Sequence, residues 1–377
     1  MMRPQTEGQL AEAIRDARAP LSVQGGGTRG LHVAGEGLST AALRGISLYD
    51  PGALTMVAGA GTPLAEIEAA LEAEGQMLAF EPYDLARMTG AQGTSTIGGV
   101  FATNASGPRR VQVGAARDFL LGVRFVDGSG EIVKNGGRVM KNVTGYDLVK
   151  LMAGAHGTLG VLSEVSFKTL PRPQASATLR IAGLDPARAV AAMSAAMGTP
   201  YDVSGAAHLE AGGGQTVLRL EGFEGSVAYR ARALREALAP FGDAAPCEGA
   251  IWSGLRDLSA LGAAQQIWRA ALRPSDAPAF LARLRALGGG AEARVMMDWS
   301  GGRLWIGASA GAQEGVALHR ALQELGAQMR GHVTLIHSDA PLEGPRFQPE
   351  AAGVARISAA LRRKFDPRGL LNAGLMG

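Results

Sequence analysis

The chain has 377 residues, well beyond the usual size of one domain, so its length predicts two domains or one domain with a large insertion. Hydrophobic residues make up 46% of the chain and charged residues 19%, which excludes disorder and fibrous repeats. The net charge is only +3, and no run of Lys and Arg is interleaved with aromatic residues, so the sequence argues against nucleic-acid binding.

Cysteine content and hydropathy exclude further classes of protein. Cys247 is the only cysteine, so the chain cannot form an internal disulfide or hold an iron–sulfur cluster by itself. Residues 1–20 lack the apolar stretch of a signal peptide, and the sequence has no apolar run long enough to span a membrane. We therefore expect a cytoplasmic protein that reaches the inner face of a membrane only through partner subunits.

The first part of the chain predicts short helices and strands joined by glycine-rich loops. Thr6 and Gln9 have capping-box spacing at the start of a helix, and residues 21–24 predict a strand. This strand runs directly into Gly-Gly-Gly-Thr-Arg-Gly at residues 25–30. Residues 54–58 predict a second strand, followed by a helix with Thr62 as its N-cap and Gly75 just after its end.

The next part combines a polar segment with a hairpin. Residues 90–107 are rich in Gly, Ser, Thr and Asn, and we expect a structured loop that wraps a ligand. Strands are predicted at 120–126 and 131–134 around a hairpin turn, then a helix near 146–152 and a strand at 161–169. Pro171 and Pro173 interrupt the pattern, so we expect a first domain over residues 1–172.

The second half predicts the order strand, helix, strand, strand, helix over residues 177–239, and the pattern recurs over residues 266–337 with a final strand added, which is the ferredoxin-like order. We expect two such units to share one antiparallel sheet in a cap domain over residues 173–340. The tryptophans are predicted to pack its core. Residues 341–377 predict a helix near 349–365 and a tail that packs back on the first domain.

Residues 25–30, called the glycine loop below, match the spacing of a dinucleotide fingerprint. Gly25, Gly27 and Gly30 are in place, and Asp50 lies about 20 residues further on. A Rossmann fold needs a helix directly after these glycines, and the residues that follow have no helical periodicity. The loop can still present converging backbone N–H groups to phosphate oxygens. By itself, a simple tight turn explains it about as well.

Two further segments of small residues favour a binding role, at residues 93–107 and 157–161. They offer uncharged donors and close backbone approach, as an extended nucleotide cofactor would require.

At this point the chain resembles a known family. The FAD-binding PCMH-type domain of the vanillyl-alcohol oxidase superfamily is similar over roughly residues 15–175, through the segments at residues 21–30, 96–110, 114–118 and 137–161. Lys-Asn-Val-Thr-Gly-Tyr-Asp-Leu at residues 141–148 is most similar to the FAD-binding E subunit of bacterial glycolate oxidases. The tail resembles the family's closing Asn-Pro-Gly signature, with Ala373 in place of the proline.

The resemblance implies an α+β fold in which a two-subdomain FAD-binding domain precedes an antiparallel-sheet cap, and the tail returns to the flavin. It implies FAD, which we expect to be non-covalent because residues 25–30 and 93–99 contain no His or Cys. The residues implied to bind FAD are Gly25, Gly26, Gly27, Thr28, Arg29, Thr94, Ser95, Thr96, Gly98, Gly99, Asn104, Ser106, Gly107, Gly160, Val161 and Asn372.

The resemblance also implies glycolate or a related small 2-hydroxy acid as substrate, with a second FAD-type subunit and an iron–sulfur subunit as partners. Related dehydrogenases carry a His-x-Gly-Asp-Gly-Asn-x-His segment that binds a metal, and residues 331–337 lack its centre. His332 and His337 are five residues apart, which predicts opposite faces of a strand, so we expect no metal site. His332 is the catalytic candidate, and His337 is predicted at the surface or an edge.

Three functions stay open at this point. The first is a self-sufficient FAD-dependent 2-hydroxy-acid dehydrogenase. The second is an accessory or electron-relaying flavin subunit. The absence of the Gly-Asp-Gly-Asn element and the single cysteine favour this function. The third is a reductase that uses NADPH on a cell-wall precursor, and the second half of the chain does not resemble such enzymes.

Overall fold

In the computed structural model, the described residues are 1–30, 33–86, 90–138 and 145–376. The chain divides into two compact units: the first contains Met1–Ser106, Gly114–Arg172 and Pro349–Gly377, and the second contains Gly107–Val113 and Pro173–Gln348. A short segment of the N-terminal half thus belongs to the second unit, which no sequence pattern predicted. Residues 31–32, which bear on the Rossmann argument, and 141–144, part of the resemblance motif, lie outside the described residues.

The elements are numbered along the described chain. The helices are α1 (Glu7–Asp16), α2 (Leu64–Ala73), α3 (Ile97–Ala102), α4 (Arg110–Val113), α5 (Ala116–Phe119), α6 (Leu148–Met152), α7 (Pro186–Met197), α8 (Glu224–Leu238), α9 (Ile251–Arg256), α10 (Ala277–Arg285), α11 (Ala312–Gln328) and α12 (Ala352–Phe365). The strands are β1 (Leu21–Gln24), β2 (Glu36–Ser39), β3 (Ile46–Asp50), β4 (Thr55–Gly59), β5 (Gln76–Met77), β6 (Leu120–Val126), β7 (Ile132–Gly136), β8 (Val161–Lys168), β9 (Leu170–Pro171), β10 (Ala175–Ala182), β11 (Val203–Leu209), β12 (Gln215–Gly222), β13 (Ala245–Cys247), β14 (Gln266–Ala271), β15 (Arg294–Asp298), β16 (Arg303–Ala308) and β17 (His332–Ser338).

The first unit contains a five-stranded antiparallel sheet with the order β3-β4-β8-β6-β7. Strand β1 pairs in parallel with β2, so the chain after the glycine loop continues into a strand, in agreement with the rejection of a Rossmann fold. The tail joins this region, because Leu371 forms a bridge with Leu21. Leu10, Ile14 and Leu38 pack with these residues in one buried cluster.

The second unit contains an eight-stranded sheet with the order β13-β10-β12-β11-β15-β16-β14-β17. Each half runs strand, helix, strand, strand, helix, strand, and the halves join where His208 of β11 pairs with Met297 of β15. Alternate strand residues pack with helices α7, α8, α10 and α11 in a single core that includes Leu218, Trp268 and Phe280. The protein is therefore a mixed α/β structure with antiparallel sheets.

Three local predictions were wrong. Thr62 does not cap α2, which begins at Leu64 after Pro63, because its hydroxyl accepts from Gly45 N at 2.9 Å and donates to Gly59 O at 2.7 Å. The segment predicted as a loop contains helix α3, whose N-cap Thr96 accepts a hydrogen bond from Gly99 N at 3.3 Å. Trp299 is half-buried rather than part of the core, and its indole N–H donates to Gly107 O at 2.9 Å.

No helix in residues 1–30, 33–86, 90–138 or 145–376 is long and apolar enough to cross a membrane.

Candidate cofactor-binding cleft

A cleft in the first unit gathers the glycine loop, helix α3, the loop before β8 and the tail. Its empty space, which includes open solvent at the mouth, is about 800 Å³. We call it the glycine cleft, because Gly25, Gly26, Gly27, Gly98, Gly99, Gly157 and Gly160 line it.

Two backbones approach each other closely beneath the glycine loop. A Cβ atom at Gly26 would lie 1.7 Å from Thr94 O, and a Cβ atom at Gly25 would lie 2.3 Å from Thr96 Oγ1. Gly27 has a φ of +72°, a conformation that residues with a side chain rarely adopt. The loop can therefore follow this path only with glycine at these positions.

Arg29 is buried at the end of the glycine loop. Its Nη1 donates to Tyr83 O at 2.7 Å and its Nη2 to Ser95 Oγ at 3.1 Å. Burial lowers the pKa of the guanidinium below its ordinary value. Its Nε is buried without a hydrogen-bond partner in the described residues, so this group can still donate to an anion.

Most of the residues predicted to bind the cofactor line the glycine cleft. These are Gly25, Gly26, Gly27, Thr28, Arg29, Thr96, Gly98, Gly99, Gly160, Val161 and Asn372. They come from four separate stretches of the chain, and the fold brings them together. Sequence reasoning therefore located the walls of the cleft from their small residues.

Thr94, Ser95, Asn104, Ser106 and Gly107 do not line the glycine cleft. Asn104 Oδ1 accepts from Arg117 N at 2.9 Å, and Ser106 Oγ accepts from Ala116 N at 2.9 Å, so these polar atoms hold the backbone that follows α3. Gly107 belongs to the second unit. A polar side chain in a loop often bonds nearby backbone in this way. That these five residues bind the cofactor stays a prediction.

Several lining residues were missed, among them His156. His156 has a φ of +51°, its N–H donates to Ala102 O at 2.9 Å, and its carbonyl accepts from Asn372 Nδ2 at 2.8 Å. The other missed residues are Val23, Gln24, Thr40, Ala60, Ala102, Thr103, Met152, Gly157 and Leu162. For Gly157 the small-residue segment at 157–161 was a usable signal.

The prediction that His332 and His337 lie on opposite faces was wrong. His332 pairs with Ala271 and His337 pairs with Ile267, and these partners are four residues apart on β14, so both histidines lie on one face. A β-bulge in β17 inserts the residue that changes the alternation. His337, predicted at the surface or an edge, is buried, but it lies on β17, the edge strand of its sheet. Its Nε2 lies 2.9 Å from Asp339 Oδ1, whereas His332 is exposed.

The glycine cleft fits the FAD that the sequence implied. Its walls leave no room for Cβ atoms at Gly25 and Gly26, as expected where backbone N–H groups must reach a pyrophosphate. The unpartnered Arg29 Nε supplies a positive donor beside this loop. Glycine and other small residues make up much of the remaining lining, beside larger side chains such as Met152 and Leu162, which suits a long cofactor with a planar ring.

Comparisons with known proteins agree with this assignment. A family model described as an FAD binding domain matches residues 1–136. Glycolate oxidase subunit GlcE of Escherichia coli (strain K12) is 37% identical over 377 residues, covering 98% of this chain and 95% of that protein. A D-lactate dehydrogenase of Archaeoglobus fulgidus is 30% identical over 189 residues, covering 48% of this chain and 41% of that protein.

A solved structure of alkyldihydroxyacetonephosphate synthase has a TM-score of 0.72 and 14% identity, covering 99% of this chain and 76% of that one, which shows a shared fold. The resemblance inferred from the sequence is therefore confirmed, and so is FAD as the cofactor. On the similarity that extends along the whole chain, the protein belongs to the family of the glycolate oxidase subunit GlcE, FAD-linked proteins of the oxidoreductase class.

Proposed function

We propose that the chain is the FAD-binding subunit of a complex that oxidises glycolate, or a related small 2-hydroxy acid, and passes the electrons to an iron–sulfur partner. The observation that carries the proposal is the glycine cleft, built for FAD in a chain that is similar to GlcE along 98% of its length. A second FAD-type subunit completes the proposed complex. Any attachment to a membrane is made by these partners.

In this proposal the first unit holds the cofactor through backbone groups. Residues 25–28 bind the pyrophosphate, with Arg29 beside them, and the walls at Thr96, Gly99 and Val161 contact the rest of the molecule. Bound FAD supplies a carrier that can take up electrons within the complex and release them toward the iron–sulfur partner. FAD is held non-covalently.

In this proposal the second unit is the cap domain, made of two ferredoxin-like halves. Strand order supports this, because β13-β10-β12-β11 and β15-β16-β14-β17 both place the first strand between the third and fourth. The proposed domains remain 1–172, 173–340 and 341–377, with the last returning to the flavin. Within the described residues, no group of three or more His, Cys, Asp or Glu side chains is arranged for a metal ion.

We assign the chain the role of an accessory or electron-relaying flavin subunit. The support for this role is the sequence of β17, which lacks the Gly-Asp-Gly-Asn element of related dehydrogenases. His332, exposed on β17, is the residue of this chain proposed to contact a substrate.

The test is an anaerobic visible spectrum of the purified chain with bound FAD, taken before and after excess glycolate or D-lactate. We expect no bleaching by the chain alone and bleaching once the second FAD-type subunit and the iron–sulfur subunit are added. Bleaching of the isolated chain would show a self-sufficient dehydrogenase, and His332→Asn would then slow it. A complete complex that stays oxidised with glycolate would contradict the proposed substrate.

A further inference from the structure

We propose that Asn372 is a positioning residue, which clamps two walls of the glycine cleft and thereby sets its affinity for FAD. The inference rests on the proposed binding of FAD in this cleft. It goes beyond the sequence prediction, which counted Asn372 only among the residues that bind FAD.

The tail that carries Asn372 is fixed along strand β1. Leu21 N donates to Leu370 O at 2.7 Å, and Asn372 N donates to Leu21 O at 3.0 Å. Leu371 N donates to Asp366 Oδ2 at 2.7 Å, which closes the turn before it. The backbone of Asn372 therefore has a set position, and the residue is 3% exposed.

The Asn372 amide is used on both sides by backbone groups. Oδ1 accepts from Val23 N at 2.7 Å, and Nδ2 donates to His156 O at 2.8 Å and to Val23 O at 3.4 Å. Val23 lies two residues before the glycine loop, and His156 directly precedes Gly157. One side chain thus connects the wall that begins the loop to the wall on the other side of the cleft.

The clamped conformation is strained at both of its loop residues. His156 has a φ of +51° and Asn372 a φ of +44°, and such a φ in residues other than glycine persists only where surrounding contacts hold it. His156 is held from one side by Ala102 O and from the other by Asn372. Loss of the Asn372 amide removes one of these two contacts. Without bound FAD, the cleft then samples conformations that do not fit the cofactor, and binding must restore the ordered conformation.

An amide is required because the position needs an acceptor and a donor at once. Aspartate keeps the acceptor for Val23 N but turns a carboxylate oxygen toward His156 O. Glycine removes the clamp and adopts a positive φ without cost, so Asn372→Gly isolates the contribution of the side chain. Gln76 offers a matched control in the same unit, since its buried amide donates to Pro51 O at 2.9 Å and accepts from Thr169 Oγ1 at 2.6 Å, outside the cleft.

The test measures FAD binding to the apoprotein by visible difference spectra and flavin fluorescence, with thermal stability recorded for every variant. Asn372→Gly and Asn372→Asp are expected to bind FAD about tenfold more weakly than the wild type, and to release it faster. Gln76→Ala is expected to lose thermal stability and keep the wild-type affinity. If Asn372→Gly does not fold, the release rate from Asn372→Asp and protection of the Val23 amide in hydrogen exchange carry the test.

Wild-type affinity in both Asn372 variants would overturn the inference. So would equal losses of affinity in the Asn372 and Gln76 variants in proportion to their stability, because the amide would then be only structural. A wild-type chain that binds no FAD would overturn the proposed function. If the wild type binds FAD, the proposed binding stands, and only the affinities of the Asn372 variants decide the inference.

Discussion

Gly26 shows how the absence of one methyl group allows the cleft to form. A Cβ atom at this position would lie 1.7 Å from Thr94 O and 2.7 Å from Thr94 C, both backbone atoms that cannot turn away. A similar restriction acts from the other side, since a Cβ atom at Gly93 would lie 1.6 Å from Gly26 O. The two loops therefore fix each other.

Gly26→Ala is expected to weaken FAD binding by at least tenfold and to lower the free energy of unfolding by about 1–3 kcal/mol, the usual cost of overpacking. Gly353→Ala is the control, because Gly353 lies in α12 with open space around its Cβ position and no positive φ. It is expected to leave FAD affinity unchanged. FAD titration and urea unfolding decide the point, and equal affinity in the two variants would contradict it.

His208 makes the second unit sensitive to acid. It is 1% exposed, Nδ1 lies 2.9 Å from Thr216 Oγ1, and Nε2 has no hydrogen-bond partner in the described residues. Burial lowers its pKa from the ordinary 6.5 to about 4. The folded protein therefore binds fewer protons than the unfolded chain between these two pH values, and the free energy of unfolding falls as the pH is lowered through this range.

The lowered pKa of His208 reduces the free energy of unfolding by about 3 kcal/mol in all as the pH falls, at 1.36 kcal/mol for each unit of pKa. His208→Gln removes the titrating group, so its free energy of unfolding is expected to change less between pH 6.5 and pH 4 than that of the wild type. Urea unfolding followed by tryptophan fluorescence measures this, because all four tryptophans lie in the second unit. If the free energy of unfolding falls equally with pH in the wild type and in His208→Gln, the acid sensitivity belongs to other groups.

At the scale of elements, the segment Gly107–Val113 is held in the second unit by charge and aromatic contacts. Arg109 and Glu221 form an ion pair at 2.5 Å with side chains 8% and 10% exposed, and Ser204 Oγ also donates to this carboxylate. The Arg110 guanidinium lies 4.3 Å from the centre of the Trp299 ring. These contacts explain why a segment from the N-terminal half departs from its sequence neighbours.

Arg109→Ala is expected to cost about 3 kcal/mol, near the low end for a broken buried pair, because Arg219 remains 3.3 Å from Glu221. Arg235→Ala removes a pair of the same kind whose side chains are 44% and 77% exposed, and it is expected to cost below about 1 kcal/mol. Urea unfolding of the second unit compares them. A similar cost for both variants would show that the buried pair does not anchor the segment.

Regular elements were predicted well where a repeating pattern of several residues defines them. Strand β1, helix α7 and the alternation of strands and helices in the second half were predicted and are confirmed. Helix α3 was missed because its six residues include two glycines and give no helical period to detect. The bulge in β17 was missed because an inserted residue leaves no mark on the sequence and is seen only against the partner strand.

At the scale of the whole molecule, FAD is expected to stabilise the first unit by mass action. A ligand at 100 times its Kd adds about 2.7 kcal/mol to the free energy of unfolding of the form that binds it. Native-state hydrogen exchange of β4 and β8 measures this, since both strands lie in the sheet of the first unit. Riboflavin, which lacks the pyrophosphate, is expected to protect them less. Unchanged exchange with FAD would contradict binding in the glycine cleft.

The sequence by itself determined the family, the cofactor and the glycine-lined walls of the cleft. These follow from local requirements, since close approach of two backbones demands glycine whatever the rest of the chain does. Only the tertiary structure decided which backbone atoms Asn372 bonds, where residues 107–113 belong and which face His332 and His337 share. Each depends on a partner far along the chain, such as His156, 216 residues from Asn372, and hydrogen bonds between distant segments form only once the fold brings their atoms within reach.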